Sequence, residues 1–265
     1  MRRLLMFVFV CALTNSLLAQ SSKITLFGMP LKRTGISLGI EWDRVQDFSA
    51  KSFERMAGIP NLSGDLGLTG DADIYSGYCE NPHIRLQAAW QLSNPKVELV
   101  TSLLGIFNRY DGLTFYGEGL QRYDNYLTMN SWGNEIALDL ALVRRLEAGP
   151  FALHVGVGGN TGFSFGNQID ITGSVNTESS ISALKTSGLS RLRSGDYGQF
   201  YVDGVDASDG ISQRVYGQLG WSVTLFRRME IGMEGRWGYG YRWYFDGSPI
   251  STNLRSIGGV ARWVL

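Results

Sequence analysis

The chain has 265 residues, 44% of them hydrophobic, and its 24 Lys and Arg match its 24 Asp and Glu, so the formal net charge is zero. That balance excludes a nucleic-acid partner, because duplex binders carry a basic excess concentrated on one face. A charged fraction of only 18% joined to high hydrophobicity excludes a disordered chain. Glycine, with 34 residues, stands at nearly twice its usual share of about 7%.

Residues 1–19 read as an export signal. Arg2 and Arg3 give a positive start, 4–13 is an apolar run, and Ala19 before Gln20 supplies the small residue of a cleavage site. Cys11 leaves with this segment, so Cys79 remains alone and no internal disulfide forms. Residues 20–33 follow as an expected periplasmic leader. Beyond the signal, no stretch reaches the roughly 18 uncharged apolar residues of a membrane-spanning helix, which excludes a helical bundle in a bilayer but not a β-barrel.

From residue 34 onward the hydrophobic period is two, the period of strands. The first strand sets Ile36, Leu38, Ile40 and Trp42 against Ser37, Gly39, Glu41 and Asp43. A second sets Ile84, Leu86, Ala88, Trp90 and Leu92 against Arg85, Gln87 and Ala89. The third, 97–108, mixes Val97, Leu99, Leu103 and Phe107 with Val100, Leu104 and Ile106, so its face stays open or a bulge interrupts it. Trp132, Ile136, Leu138, Leu140 and Leu142 against Glu135, Ala137 and Asp139 make the fourth; Phe151 to Phe165 against His154, Gly156, Gly158 and Ser164 make the fifth. The sixth opposes Val215, Leu219, Trp221 and Val223 to Arg214, Tyr216 and Gln218. In the seventh, Met229, Ile231, Met233, Trp237, Tyr239, Tyr241 and Trp243 oppose Glu230, Gly232, Glu234, Arg236, Gly238, Gly240 and Arg242. The eighth opposes Ile257, Ala261 and Trp263 to Gly258, Val260 and Arg262.

Connections alternate between short and long. Turns are expected at 93–95, 144–150 and 226–228, and long loops at about 45–83, 108–130 and 166–210, with a shorter one at 244–252. An even strand count with short turns at one end and long loops at the other predicts an all-β, antiparallel up-and-down transmembrane β-barrel of eight strands, or ten if 23–28 and 71–80 also pair into the wall. A soluble barrel gives the same alternation with the faces exchanged. All seven Trp lie on the apolar phase, and an eight-stranded interior is only wide enough for side chains to fill, so that phase must face outward into lipid. Trp42, Trp132 and Trp243 are then expected near the outer rim and Trp90, Trp221 and Trp263 near the inner rim, as interfacial belts, with Trp237 between them.

The signal segment, the alternating strands, the uneven loops and the terminal strand 257–265 resemble the small outer-membrane β-barrels of the OmpA and OmpX type. The Ala19-Gln20 cut and the terminal aromatic Trp263 resemble those of a Bacteroidetes outer-membrane protein. The resemblance implies export to the cell outer membrane, lipid contact and handling by the barrel-assembly machinery; the chain departs from the pattern in ending Trp263-Val264-Leu265.

On the polar phase Glu41, Glu135, Asp139, Glu230 and Glu234 meet Arg85, Arg214, Arg236, Arg242 and Arg262. Charges in a narrow lumen must pair, and the favoured reading is a salt-bridged plug, with a gated pore as the alternative. Glycines 156, 158, 220, 232, 238 and 240 on this phase read as spacers beside bulky side chains. His83 and His154 are the only histidines, so a His/Cys metal site lacks ligands, and no metal or cofactor is expected. His154 with a nucleophile such as Ser164 lacks the local motifs of a lipid-modifying or proteolytic site. Asp203, Asp206 and Asp209, with Asp71 and Asp73, lack EF-hand spacing and read as a solvated turn. The functional expectation is a non-enzymatic barrel whose outer loops bind a surface ligand. The alternatives are a subunit of an envelope secretion or assembly complex, a narrow pore, and a lipid-modifying enzyme.

Overall fold

A computed structural model describes residues 24–46, 79–116, 126–174, 192–194, 199–226, 228–244 and 250–265. Eleven strands lie among them: β1 (Thr25–Leu26), β2 (Met29–Gln46), β3 (Cys79–Gln91), β4 (Val97–Tyr116), β5 (Tyr126–Ala148), β6 (Phe151–Ser174), β7 (Leu192–Ser194), β8 (Gln199–Asp206), β9 (Gly210–Leu225), β10 (Met229–Tyr244) and β11 (Ile250–Val264). Eight of them, β2 to β6 and β9 to β11, close an antiparallel ring in sequence order, sealed where β11 runs against β2 from Ser251–Gln46 to Val264–Arg33. The Leu265 amide, bonded to the Lys32 carbonyl, extends this seam by one residue. Thr25–Leu26 folds back on the start of β2, and of 71–80 only 79–80 are described, at the head of β3.

The turns at one end follow from local chemistry. Between β3 and β4, the Asn94 side chain accepts the Lys96 N–H at 3.0 Å, an Asx turn. Between β5 and β6 the turn is only Gly149-Pro150, with Gly149 at φ +61°, so β5 runs further than the expected 144–150 connection allowed. Residues 29–33, assigned from sequence to a leader, belong to β2, because a segment without alternation can still pair through its backbone.

Bulges explain the other departures. In β4 the register shifts between Ile106 and Arg109, with Asn108 at φ +53°. On β6 it shifts opposite Trp132 and Asn134, with Gly166 at φ +62°. Each inserts one residue and exchanges the faces of the strand beyond it. The strands therefore continue to Tyr116 and Ser174, through much of what the periodicity predicts as the loops 108–130 and 166–210. β8 takes over the edge of β6 where β9 stops, and β7 pairs with β8. Asp203 and Asp206 thus lie in a strand, not in a turn, and the Gly204 amide donates to Asp170. The ring is consequently taller along β4, β5, β6 and β8 than along β2, β3 and β9 to β11.

Candidate functional site: the filled lumen and the outward band

Within the ring, side chains alternate strictly. On β5, Ile136, Leu138, Leu140, Leu142 and Leu146 point outward and are exposed, Leu138 at 70%. The same phase carries Val155 and Val157 on β6, Val215 and Leu219 on β9, and Tyr239 and Tyr241 on β10. From Ile136 to Leu146 the stretch has the length, about 9–11 residues, that a tilted strand needs to cross the hydrocarbon of a bilayer. Above Ile136 the pattern inverts. Thr128 and Asn130 face outward, while Leu127, Met129, Ile169 and Ile171 are buried inside. The outward row there is polar and bonded laterally, Tyr110 Oη to Asn130 at 2.6 Å and Thr114 to Thr128 at 3.0 Å. One sheet is thus apolar outside along one length and apolar inside along the next.

The tryptophans fall on the outward face. Trp42, Trp132 and Trp243 lie toward the end with long connections, and Trp90, Trp221 and Trp263 toward the end with short turns. The Trp90 indole N–H donates to the Thr101 hydroxyl at 3.0 Å, so that ring's one donor is paired on the outward face. Trp132 packs against Tyr110 and Trp243 against Tyr241, with ring centroids 5.5 and 5.9 Å apart.

Inside, among the described residues, seven buried acids face seven buried arginines, and the half-buried Arg33 joins them at the base, so acids and bases are close to balance. They sit in three storeys. At the top Glu135 accepts both Arg214 Nη1 and Nη2, at 2.7 and 3.0 Å, together with Arg109 at 2.7 Å and the Ser212 hydroxyl at 2.8 Å. Arg214 also reaches Asp43 at 3.3 Å and Glu41 at 3.5 Å, and Arg242 reaches Asp43 at 3.3 Å. In the middle, Asp139 accepts the Tyr216 hydroxyl, takes Arg236 at 2.6 Å and lies 3.4 Å from Arg85. The Arg236 guanidinium stands 4.5 Å above the Tyr216 ring. At the base Arg262 pairs with Glu234 and donates to Gln87, whose amide returns to Glu234. Arg145 grips Glu230 through two nitrogens at 2.7 and 3.0 Å, and Arg33 bridges Glu230 and Glu98.

All ten residues expected in the lumen therefore lie there and each enters one of the three storeys. Arg33, Asp43, Glu98, Arg109 and Arg145 join them without having been singled out. Asp43 was legible on the polar phase; Arg33, Arg109 and Arg145 fell in segments read as leader, loop and turn, and Glu98 in the strand whose face was open. Glycine makes the room: a Cβ on Gly162 would stand 2.6 Å from Glu135 Oε1, one on Gly158 2.6 Å from Tyr216 Oη, and one on Gly240 2.7 Å from Arg214 Cγ. Apolar wedges fill the rest, Leu104, Ile106 and Ala137 in one cluster and Val100, Val143, Tyr216 and Leu254 in another. His154 bonds Ser222 at 2.8 Å and not Ser164, which instead donates to the Gly210 carbonyl.

No family model matches the sequence, and no curated protein matches it. Among solved structures, the chain is similar to the outer membrane protein OprG from Pseudomonas aeruginosa, at 10% identity and a TM-score of 0.44 over 88% of this chain and 96% of that one. It is also similar to the outer membrane protease OmpT from Escherichia coli, at 10% identity and 0.41 over 92% and 100%. Neisserial surface protein A aligns at 8% identity and 0.37 over 88% and 96%.

Proposed function

We propose that this chain is an integral barrel of the cell outer membrane, that its lumen is a structural plug, and that its raised outer sheet and long connections carry a non-enzymatic, surface-binding role. The observation that carries the reading is the inversion at the bulges of β4 and β6. An exposed apolar band about as tall as a bilayer's hydrocarbon gives way there to a sheet with a polar outside and an apolar inside. Exposed Leu, Val and aromatic side chains around a whole ring are unfavourable in water, and a closed ring leaves no backbone edge unpaired in lipid. The three storeys of ion pairs and the apolar wedges support a plug in place of a conduit.

Orientation follows from the same geometry: the taller end, with the long connections, faces outward, and the short connections that follow Gln91, Ala148 and Leu225 face the periplasm. The test has two arms. An epitope inserted between Tyr116 and Tyr126 is expected to be reached by antibody on intact cells, and one at Gly149-Pro150 only after the envelope is opened; the reverse result overturns the orientation. In planar bilayers the purified barrel is expected to give no unitary current, and a stable open level would overturn the plug.

A further inference from the structure

On the outward face, the seam between β2 and β11 carries an arrangement that a purely apolar band has no use for. Arg255 on β11 is exposed and stands directly opposite Trp42 of β2 on one side and Trp237 of β10 on the other. Two residues above Trp42, the exposed Arg44 faces Asn253, so the two guanidinium-bearing positions are diagonal neighbours across the seam. Diagonal pairs across antiparallel strands lie about 7–8 Å apart at their Cα atoms, within reach of one shared anion. Among the described residues no carboxylate forms an ion pair with either arginine; Glu80, the outward acid of β3, stands opposite Trp42 and is diagonal to Arg44 on the side away from Arg255, without pairing with it. Two like charges side by side without an acid between them repel, and an anion held by both removes that repulsion.

Below Arg255 the surface is hollow. Trp42, Trp237, Gly235, Arg255, Ser256 and Ile257 line a groove of about 400 Å³. The Trp237 indole lies over Gly235, which has no side chain to lift it: a Cβ there would come within 3.0 Å of the ring. The depth is also informative. Trp263, Met229 and Thr34 are opposite one another near the short-turn end, and Arg255, Trp237 and Trp42 each lie eight residues up their strands. At about 3.3 Å per residue and a tilt of about 40° that is roughly 20 Å, near the outer edge of an apolar band about 25 Å tall.

Resting on the membrane reading above, we propose that Trp42, Arg44, Trp237 and Arg255 form a binding site for a phosphorylated lipid of the outer leaflet. The phosphate sits between the two guanidinium groups, and an acyl chain lies in the groove against Ile257, between the Trp42 and Trp237 indoles. Arginine suits the role because its planar fork binds phosphate through two nitrogens, and a free phosphate would leave the groove empty.

The test uses the full barrel in detergent, with native mass spectrometry after incubation with lipid A and, separately, with lipid A stripped of its phosphates. The native chain is expected to retain the phosphorylated lipid and to hold the stripped one about tenfold less. Arg255→Gln and Arg44→Gln each lose about tenfold in retention, the size of one charge-assisted hydrogen bond. Arg144→Gln, an outward arginine near the opposite rim, leaves retention unchanged, and Arg255→Lys recovers part of it. Equal retention of the two lipids, or by the native and Arg255→Gln chains, overturns the site. These results are read on barrels that insert into vesicles and migrate faster unboiled than boiled; a native chain that does neither overturns the membrane reading itself.

Discussion

Replacing Glu135 by Gln removes one negative charge from the most heavily bonded position in the lumen. The side chain is wholly buried and receives two bonds from Arg214, one from Arg109 and one from Ser212. The amide retains the size and one acceptor oxygen, so the packing survives, but Arg214 and Arg109 lose the charge that compensates them. Asp43, at 3.3 Å from Arg214, is shared with Arg242, and Glu41, at 3.5 Å, is too distant for a close hydrogen bond, so neither replaces it. Leaving a buried ion without its partner costs about 3–5 kcal/mol. With a urea dependence of about 2 kcal/mol per molar, the unfolding midpoint falls by about 2 M. The assay is reversible urea unfolding in lipid vesicles, followed by tryptophan fluorescence. Glu147→Gln is the control. Glu147 also meets Arg145, at 2.6 Å, but its side chain is 60% exposed, and a pair of that kind contributes at most about 1 kcal/mol. If the two variants shift the midpoint equally, the storeys are not a dry network, and the energetic argument for the plug fails.

Three further predictions follow from the faces and the close approaches. Leu140→Arg places a charge midway along the outward band and is expected to cost about 2–4 kcal/mol in the same vesicle assay; an unchanged midpoint would mean that the band does not face lipid. Gly238→Val puts a side chain onto the Val215 carbonyl and within 2.7 Å of Tyr216 Cα, whereas a Cβ on Gly217 meets nothing within 4 Å. The first is expected to abolish the compact unboiled band on gels and Gly217→Val to keep it; equal behaviour would contradict the packing. Ile169→Ala removes a fully buried side chain above the bulge, at a cost of about 2–5 kcal/mol that stays local. Protease should then cleave the raised sheet in vesicle-inserted protein while the gel shift persists, and loss of that shift would show that the two regions fold as one unit.

Where the alternation is unbroken, the sequence speaks plainly. The strands around Leu38, Leu86, Leu138, Leu219, Met233 and Ile257 are found with the faces expected, because lipid outside and charge inside impose opposite chemistry on adjacent residues. The third strand was ambiguous for a definite reason: Val100, Leu104 and Ile106 point inward as wedges among the charges, and the bulge at Asn108 then exchanges the faces. The raised sheet was missed because its amphipathicity has the opposite sense. Leu127 and Met129 alternate with Thr128 and Asn130 cleanly enough, but on the far side of Trp132 the apolar phase is the inward one. Gly166-Asn167, a turn-like pair inside a strand, is the local signal for the bulge on β6. The partners within each storey were not legible, since strand shear, and not sequence spacing, brings Arg33 to Glu98 or Arg236 to Asp139. The lipid-facing pair Arg44 and Arg255 was open to the same reading, one on each strand of the seam.

The seam also sets a timetable. Thr34 and Trp263 stand opposite each other although nearly the whole ring lies between them along the chain. The pairs β3–β4, β4–β5, β5–β6, β9–β10 and β10–β11 are separated by fewer than about ten residues along the chain, so those contacts form locally and early, whereas β2 waits until β11 is available. Loop-closure entropy makes such a step slow, and until it is complete both edges of the sheet remain open to the wrong partner. The time between synthesis of β2 and its pairing is therefore when this chain is most vulnerable to aggregation. A variant that weakens only the β2-facing edge of β11 would lengthen that interval while leaving the pairs formed earlier along the chain unchanged.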